Sequence, residues 1–163
     1  SLNAISSLLN IFFILHMKEQ FVTKKILNWY DLNKRSLPWR KNVSPVKKQY
    51  FTLVSEFMLQ QTQVATVIPY FNHFIKNIPN LNSLAKTNDK KLYKLWEGLG
   101  YYSRVKNLKR TAQVVKKKFR GKLPDTFDDL ISLPGIGNYT ASAILAIAFN
   151  KPFIPLDEML KEF

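Results

Sequence analysis

The sequence LPGIGNYT at residues 133–140 decides the fold of this chain. Gly135 and Gly137 lie one residue apart, directly before an apolar stretch that predicts a helix over 139–149. Such a pair permits a tight turn whose N–H groups point outward together at the positive end of a helix dipole, which suits a phosphate oxygen. A second helix is predicted before it, at 126–132, so the unit is a helix, a hairpin and a helix. An ordinary helix–helix turn is the alternative, because isolated Gly-X-Gly patterns are common.

The charge of the chain favours the phosphate-binding interpretation. The 25 Lys and Arg residues outnumber the 11 Asp and Glu residues, which leaves a net charge of +14. Such a charge favours a polyanionic partner. Residues 101–122 contain no acid, and apolar residues at helical spacing predict a helix with one apolar and one phosphate-tracking cationic face. A solvated lysine-rich face is the alternative. The basic residues of this segment are Arg104, Lys106, Lys109, Arg110, Lys116, Lys117, Lys118, Arg120 and Lys122.

Glu56 is the only acidic residue between Asp31 and Asp89, and it lies among apolar residues at helical spacing. Burial of a carboxyl without a partner raises its pKa, so Glu56 is predicted to hold a proton near neutral pH. That is the property a general acid requires. An exposed or helix-capping glutamate is the alternative.

Helical periodicity continues from Met17 onward, and no stretch alternates convincingly as a β-strand. The prediction is an all-α domain with Asp89 and Thr126 as helix N-caps. The absence of cysteine excludes disulfides, thiol catalysis and cysteine-ligated metals for these 163 residues. The two histidines lack the spacing of a zinc site. Helices are predicted at 18–33, 50–60, 63–77, 80–85, 89–96, 103–119, 126–132 and 139–149.

Four strings in order resemble the MutY family of mismatch adenine DNA glycosylases, within the helix-hairpin-helix superfamily. The resemblance spans residues 21–157 and implies the helical-barrel module that carries the hairpin. It further implies an enzyme that flips adenine, mispaired with 8-oxoguanine or guanine, into a pocket and hydrolyses its glycosidic bond. The strings are LPWR at 37–40, SEFMLQQT at 55–62, WEGLGYY at 96–102 and LPGIG at 133–137.

The resemblance assigns roles residue by residue. Glu56 protonates the purine ring, Asp157 stabilises the oxocarbenium-like sugar or bonds it transiently, and Tyr139 lies against that sugar. Gln61 and Tyr101 wedge into the duplex beside the mispair. The residues implied to line the adenine pocket are Trp39, Arg40 and Leu59. Those implied to contact DNA are Gln60, Gln61, Thr62, Tyr101, Gly135 and Gly137, with the two glycines gripping a phosphate. The basic segment adds Arg104 and Lys106 to the predicted DNA contacts.

Other classes of protein remain open at this point. Endonuclease III-like glycosylase–lyases attack the sugar with a lysine in the helix after the hairpin. Tyr139 occupies that position here and has no amine, which favours monofunctional excision. A non-catalytic helix-hairpin-helix DNA-binding module is the main alternative, although an isolated carboxylate facing phosphates gives it no advantage. An unrelated basic helical interaction protein is the last class.

The resemblance also implies cofactors and partners. Family members carry a [4Fe–4S] cluster held by four cysteines, mostly in a second helical module, and this cysteine-free chain cannot bind it. A monovalent cation is implied at the hairpin. The implied partner is double-stranded DNA with an adenine:8-oxoguanine or adenine:guanine mispair. No membrane association is expected, and the implied state is a monomer in the bacterial cytoplasm, associated with the nucleoid.

The two ends depart from the family. Residues 1–16 carry no charge, so Met17 is expected to be the biological start after upstream sequence, with a signal peptide or anchor as the alternative. The family continues beyond its aspartate as Gly-Asn-Val-Lys-Arg-Val, whereas residues 158–163 read EMLKEF. Deleting one nucleotide from a plausible codon string converts the first into the second. We therefore expect a frameshift after Asp157, a largely missing second module, weak DNA binding and poor or no adenine excision.

Overall fold

The computed structural model describes residues 20–155, which form helices joined by short turns. This part of the chain contains no β-strand, and the all-α prediction is confirmed. The chain divides into two compact units after residue 36. In the first, residues 20–33 are helical (α1), and Lys34 forms an ion pair with Asp31 at 2.8 Å. No helix within residues 20–155 has the length and apolarity that crossing a membrane demands.

The second unit opens with a single 3₁₀ turn, Pro38–Arg40, and continues as α-helices. The helix α2 is central, because it packs against the 3₁₀ turn and against the third, sixth and eighth helices. In its described part the α-helices are α2 (Pro45–Leu59), α3 (Val64–Asn77), α4 (Leu81–Lys86), α5 (Asp89–Trp96), α6 (Ser103–Lys118), α7 (Phe127–Ile131) and α8 (Asn138–Phe149).

Aromatic side chains fill the space around α2. Phe57 of α2, Phe71 and Phe74 of α3 and Trp96 of α5 are fully buried. Phe74 meets Trp96 edge to face with their ring centroids 6.0 Å apart, a favoured geometry for aromatic pairs. Because neighbours cover α2 on several sides, every residue from 52 to 58 is buried, including polar ones. This burial determines the environment of Glu56.

Most predicted helix boundaries agree with the structure to within one residue, and α2 is the main exception. It begins at Pro45 rather than at residue 50, because proline is well tolerated in the first turn of a helix. Lys47 and Lys48 therefore lie in the helix, and Lys48 Nζ donates to Asn150 Oδ1 at 3.2 Å.

The N-cap predictions were right for one helix and wrong for another. Thr126 caps α7, since its hydroxyl accepts a hydrogen bond from the backbone N–H of Asp129. The cap of α5 is Asn88 rather than Asp89, and its side-chain oxygen accepts from Lys91 N at 2.8 Å. Asp89 instead lies in the first turn, where a carboxylate interacts favourably with the helix dipole.

Candidate active site and nucleic-acid interface

Glu56 lies in the last turn of α2 with only 8% of its surface exposed. Within residues 20–155 its carboxyl group has no hydrogen-bond partner. Burial raises the pKa of Glu56 from 4.5 to about 7, and the nearby positive charge of Arg40 offsets only part of that shift. The predicted elevation of this pKa is confirmed. At neutral pH a large fraction of the Glu56 side chains therefore carries a proton that can be donated.

The 3₁₀ turn at Pro38–Arg40 packs against α2 and α3, which brings Arg40 towards Glu56. Arg40 itself is exposed, whereas its neighbour Trp39 is buried with its ring edge-on to Phe71 at 5.2 Å. Leu59 is half-buried at the end of α2 and packs on the core. Trp39 and Leu59 thus belong to the packing around α2, and their contact with a bound base stays a prediction.

The hairpin before α8 requires glycine at only one of its two positions. Gly135 has a φ of +78°, and a Cβ there would lie 2.8 Å from the Cβ of Asn107 and 3.0 Å from the ring of Phe57. Gly137 has an extended backbone, and a Cβ there would meet nothing within 4 Å. Gly135 is needed for the turn itself, whereas Gly137 leaves the exposed approach to the α8 N-terminus open.

Two hydrogen bonds fix the hairpin against the rest of the unit. The Thr111 hydroxyl on α6 donates to Pro134 O at 2.8 Å, and Gln60 Nε2 donates to Gly135 O at 3.3 Å. Thr111 and Asn107 were not among the predicted site residues. The sequence feature that indicates a buried, hydrogen-bonded Thr111 is its position on the apolar face of α6 beside Leu108 and Ala112. The hairpin is thereby joined to the end of α2, a few residues after Glu56.

Gln61 and Tyr101 share an unusual backbone geometry. Gln61 follows α2 with a φ of 56°, and Tyr101 precedes α6 with a φ of 46°. Residues with a Cβ seldom occupy this left-handed region, where they cost about 1 kcal/mol or more and cluster at functional sites. Both side chains are exposed, Tyr101 to 63%. Two strained, exposed side chains suit the wedge role that the resemblance implies.

The structure corrects the prediction for Arg104, which does not lie on the cationic face of α6. Only 6% of its surface is exposed, and its guanidinium donates hydrogen bonds to groups of the protein itself. A group that is hidden and hydrogen-bonded in this way is not available to a phosphate. Its acceptors are the backbone oxygens of Phe57, Met58, Gln60, Leu99 and Gly100 and the Thr62 hydroxyl.

The remainder of α6 has the predicted two-faced character. Val105, Leu108 and Val115 are buried, whereas Lys106 and Arg110 are exposed. Lys109 is mostly covered and forms an ion pair with Asp89 at 2.5 Å. Lys106 therefore keeps its place as a candidate phosphate contact, and Arg104 and Lys109 lose theirs.

Of the two remaining predicted catalytic residues, Tyr139 lies within the described residues and Asp157 does not. Tyr139 lies in the first turn of α8 and is 46% exposed. Asp157 lies outside the described residues, as do residues 1–16 and 158–163. No group of three or more His, Cys, Asp and Glu side chains in residues 20–155 has a metal-binding arrangement. The 163 residues contain no cysteine and so do not fit a [4Fe–4S] cluster.

Comparison with known proteins identifies the family. Residues 54–163 match the profile of the HhH-GPD superfamily base excision DNA repair proteins. The chain is 46% identical over 149 residues to an adenine DNA glycosylase of Buchnera aphidicola subsp. Acyrthosiphon pisum, covering 89% of this chain and 41% of that protein. It is 45% identical over 133 residues to an adenine DNA glycosylase of Rattus norvegicus, covering 78% of this chain and 26% of that protein. The chain thus spans less than half the length of these relatives.

The fold agrees with these sequence relationships. The structure of a thermostable thymine-DNA glycosylase superimposes with a TM-score of 0.74 at 26% identity, covering 88% of this chain and 64% of that one. The family match at residues 54–163 contains both Glu56 and the hairpin. This chain belongs to the HhH-GPD superfamily of base excision DNA repair proteins.

Proposed function

We propose that this chain forms the part of a monofunctional adenine DNA glycosylase that carries the catalytic acid. The observation that carries the proposal is the Glu56 carboxyl, which is buried, without a hydrogen-bond partner in the described residues, and raised in pKa to about 7. A group with this pKa combines a protonated population with a strong tendency to transfer the proton at neutral pH. The relatives of this chain bear the name adenine DNA glycosylase.

In the proposed reaction, the protonated Glu56 donates to a ring nitrogen of a flipped adenine. The glycosidic bond then breaks with its electron pair moving to the base, and an oxocarbenium-like sugar remains. Asp157 stabilises this cation, and Tyr139 lies against the sugar. Water adds to the sugar carbon and loses a proton, which leaves an abasic site. The step requires two carboxyl groups in opposite protonation states, as glycosidic cleavage generally does.

The proposed DNA-binding elements surround this centre. Gln61 and Tyr101 enter the duplex from two loops, and the hairpin at Gly135 and Gly137 holds a phosphate near the α8 N-terminus. Lys106 and the exposed lysines of α6 follow the backbone electrostatically. The proposed substrate is double-stranded DNA in which adenine is opposite 8-oxoguanine or guanine.

The test is a single-turnover assay with the 163-residue chain in molar excess over duplexes that contain adenine opposite 8-oxoguanine, guanine or thymine. Released bases are identified by mass, and strand breaks are counted before and after alkali. We expect slow release of adenine from the two mispairs, with breaks appearing only after alkali. Glu56→Gln should slow release by about 10²–10⁴-fold, the usual contribution of a general acid.

Glu97→Gln is the matched control, because it makes the same chemical change at an exposed glutamate that directly follows α5. It should leave the rate of adenine release unaltered. Equal rates for the wild type and Glu56→Gln would refute the role of Glu56. If no adenine is released while Glu56→Gln binds DNA more tightly than the wild type, the chain is a non-catalytic DNA-binding module.

A further inference from the structure

The side chain of Arg104 connects two loops that are far apart in the sequence. Its Nη1 atom donates to the end of α2, at Met58 O (2.8 Å), Gln60 O and Thr62 Oγ1 (3.0 Å). Its Nη2 atom donates to the loop before α6, at Leu99 O (2.9 Å) and Gly100 O (3.2 Å). One planar group therefore binds both loops, each through a different nitrogen.

The acceptors at the end of α2 explain why a cation is buried there. The last carbonyl groups of any helix lack partners within the helix and carry the negative end of its dipole. The last turn of α2 contains no basic residue of its own. Arg104 supplies the missing donors from α6, so it acts as a C-terminal cap delivered from another helix.

Two of the peptide groups that Arg104 binds lie directly before Gln61 and Tyr101. Gln60 O belongs to the peptide bond that leads into Gln61, and Gly100 O belongs to the one that leads into Tyr101. Fixing the plane of that peptide group restricts φ of the residue that follows, and both residues have a positive φ. The Tyr101 ring also lies over the guanidinium, with its centroid 5.5 Å from Cζ.

We infer that Arg104 is a positioning residue that holds Gln61 and Tyr101 together in their left-handed conformations before DNA arrives. Arg104 touches neither base nor sugar in this assignment and acts through the two loops. The restraint of the two loops is a property of the free protein, whereas its consequence for DNA binding rests on the proposed function. A lysine cannot replace it, because one ammonium nitrogen lacks the planar fork that reaches both loops.

The first test measures hydrogen exchange in the free 163-residue chain. Arg104→Lys keeps the charge and removes the fork, so exchange should accelerate by about tenfold in residues 59–63 and 99–102 together. Arg110→Lys is the matched control, since it makes the same change at an exposed position of the same helix, and both segments should stay within about twofold of the wild type. Acceleration confined to residues 99–102 would refute the connection between the loops.

A second variant covers the case in which Arg104→Lys fails to fold. Thr62→Val removes one acceptor of Arg104 on the α2 side and keeps the branched shape of the side chain. If Arg104 couples the loops, exchange should rise about two- to threefold at residues 99–102, which lie on the opposite side of the guanidinium. An effect limited to residues 59–63 would show that the loops are independent.

The second test uses a duplex with an adenine:guanine mispair and 2-aminopurine as the neighbouring base. Wedging unstacks the probe and raises its fluorescence. Arg104→Lys should lose at least about two thirds of that rise while its affinity for an undamaged duplex changes less than about threefold. A full rise with Arg104→Lys would refute the inference. No rise with the wild type would refute the wedge of the proposed function, and the exchange data would still judge Arg104.

Discussion

Glu56 and Arg104 are both buried in the second unit, with 8% and 6% of their surfaces exposed, and the structure treats their charges in opposite ways. Arg104 has six oxygen acceptors, although its Nε remains buried without a partner. Glu56 has no hydrogen-bond partner among the described residues, and its pKa has moved to about 7. A satisfied buried charge holds structure in place, whereas an unsatisfied one stays chemically reactive at some cost in stability.

The largest expected effect is the loss of stability when the hydrogen bonds of Arg104 are removed. Arg104→Met removes every donor from the carbonyl groups at the end of α2 and leaves them buried. We expect a loss of about 3–5 kcal/mol in the free energy of unfolding, measured by urea denaturation of the full chain. Arg110→Met, at an exposed site, should cost less than about 0.5 kcal/mol. Equal losses for the two variants would mean that the hydrogen bonds of Arg104 contribute no net free energy to folding.

The next effect concerns the stability cost of Glu56. Its pKa of about 7 in the folded chain lies above the ordinary 4.5, so the folded state binds more protons than the unfolded state between these values. The wild type should therefore lose stability as pH rises from about 4.5 to about 7 and level off above. Glu56→Gln removes this loss and should be up to about 3 kcal/mol more stable than the wild type at pH 8.

Urea denaturation of both proteins at pH 4.5 and at pH 8 measures this difference directly. At pH 4.5 the two should be nearly equal, because Glu56 is then mostly protonated when folded. A constant difference at the two pH values would show that packing, rather than the charge of Glu56, determines it. A wild type more stable than Glu56→Gln at pH 8 would contradict the unpaired state of the carboxyl.

The third prediction follows the same proton into the proposed reaction. The rate constant for adenine release should be nearly constant between about pH 5 and pH 7 and should fall about tenfold per pH unit above that, or about a hundredfold by pH 9. Single-turnover measurements at constant ionic strength test this. A rate that rises through this range would indicate that the ionised carboxylate is the active form.

The smallest expected effect compares Glu56 with a second unpaired polar group of α2, the hydroxyl of Thr52. Thr52 lies one turn before Glu56, and its buried hydroxyl oxygen also has no hydrogen-bond partner within residues 20–155. Thr52→Val keeps the shape and removes the unpaired oxygen, so we expect a gain of about 1 kcal/mol that does not depend on pH. Thermal unfolding at two pH values measures it. A loss of stability would show that the hydroxyl has a partner in solution, and then Glu56 beside it is less isolated.

Much of this arrangement could be predicted from residue spacing. The helices, the hairpin and the raised pKa of Glu56 all follow from local patterns, because apolar periodicity and an isolated acid are visible in the sequence. The inward position of Arg104 was not predicted, since arginine was grouped with its basic neighbours. Arg104, Leu108, Thr111 and Val115 nevertheless share one face of α6 and are all buried. On that face both polar members hydrogen-bond to distant carbonyl groups, which only the three-dimensional structure reveals.

The start of α2 also could not be predicted from the apolar pattern. Lys47 and Lys48 interrupt that pattern, and the helix nevertheless begins before them, at Pro45. The pairing of Lys48 with Asn150 at the far end of α8 joins residues about a hundred positions apart, so no local signal carries it. Asp157 stays a prediction, because it lies outside the described residues.

The helix α2 has a mechanical consequence for the proposed enzyme. Glu56 lies in its last turn, and Gln61 is the second residue beyond its end. Because Arg104 holds the segment before Gln61 against the end of this packed helix, a displacement of α2 on DNA binding would move Gln61 and the carboxyl of Glu56 together. Insertion of Gln61 into the duplex and proton donation by Glu56 would then be coupled through α2. In a duplex that Gln61 has not distorted, the carboxyl of Glu56 would not be aligned with the base.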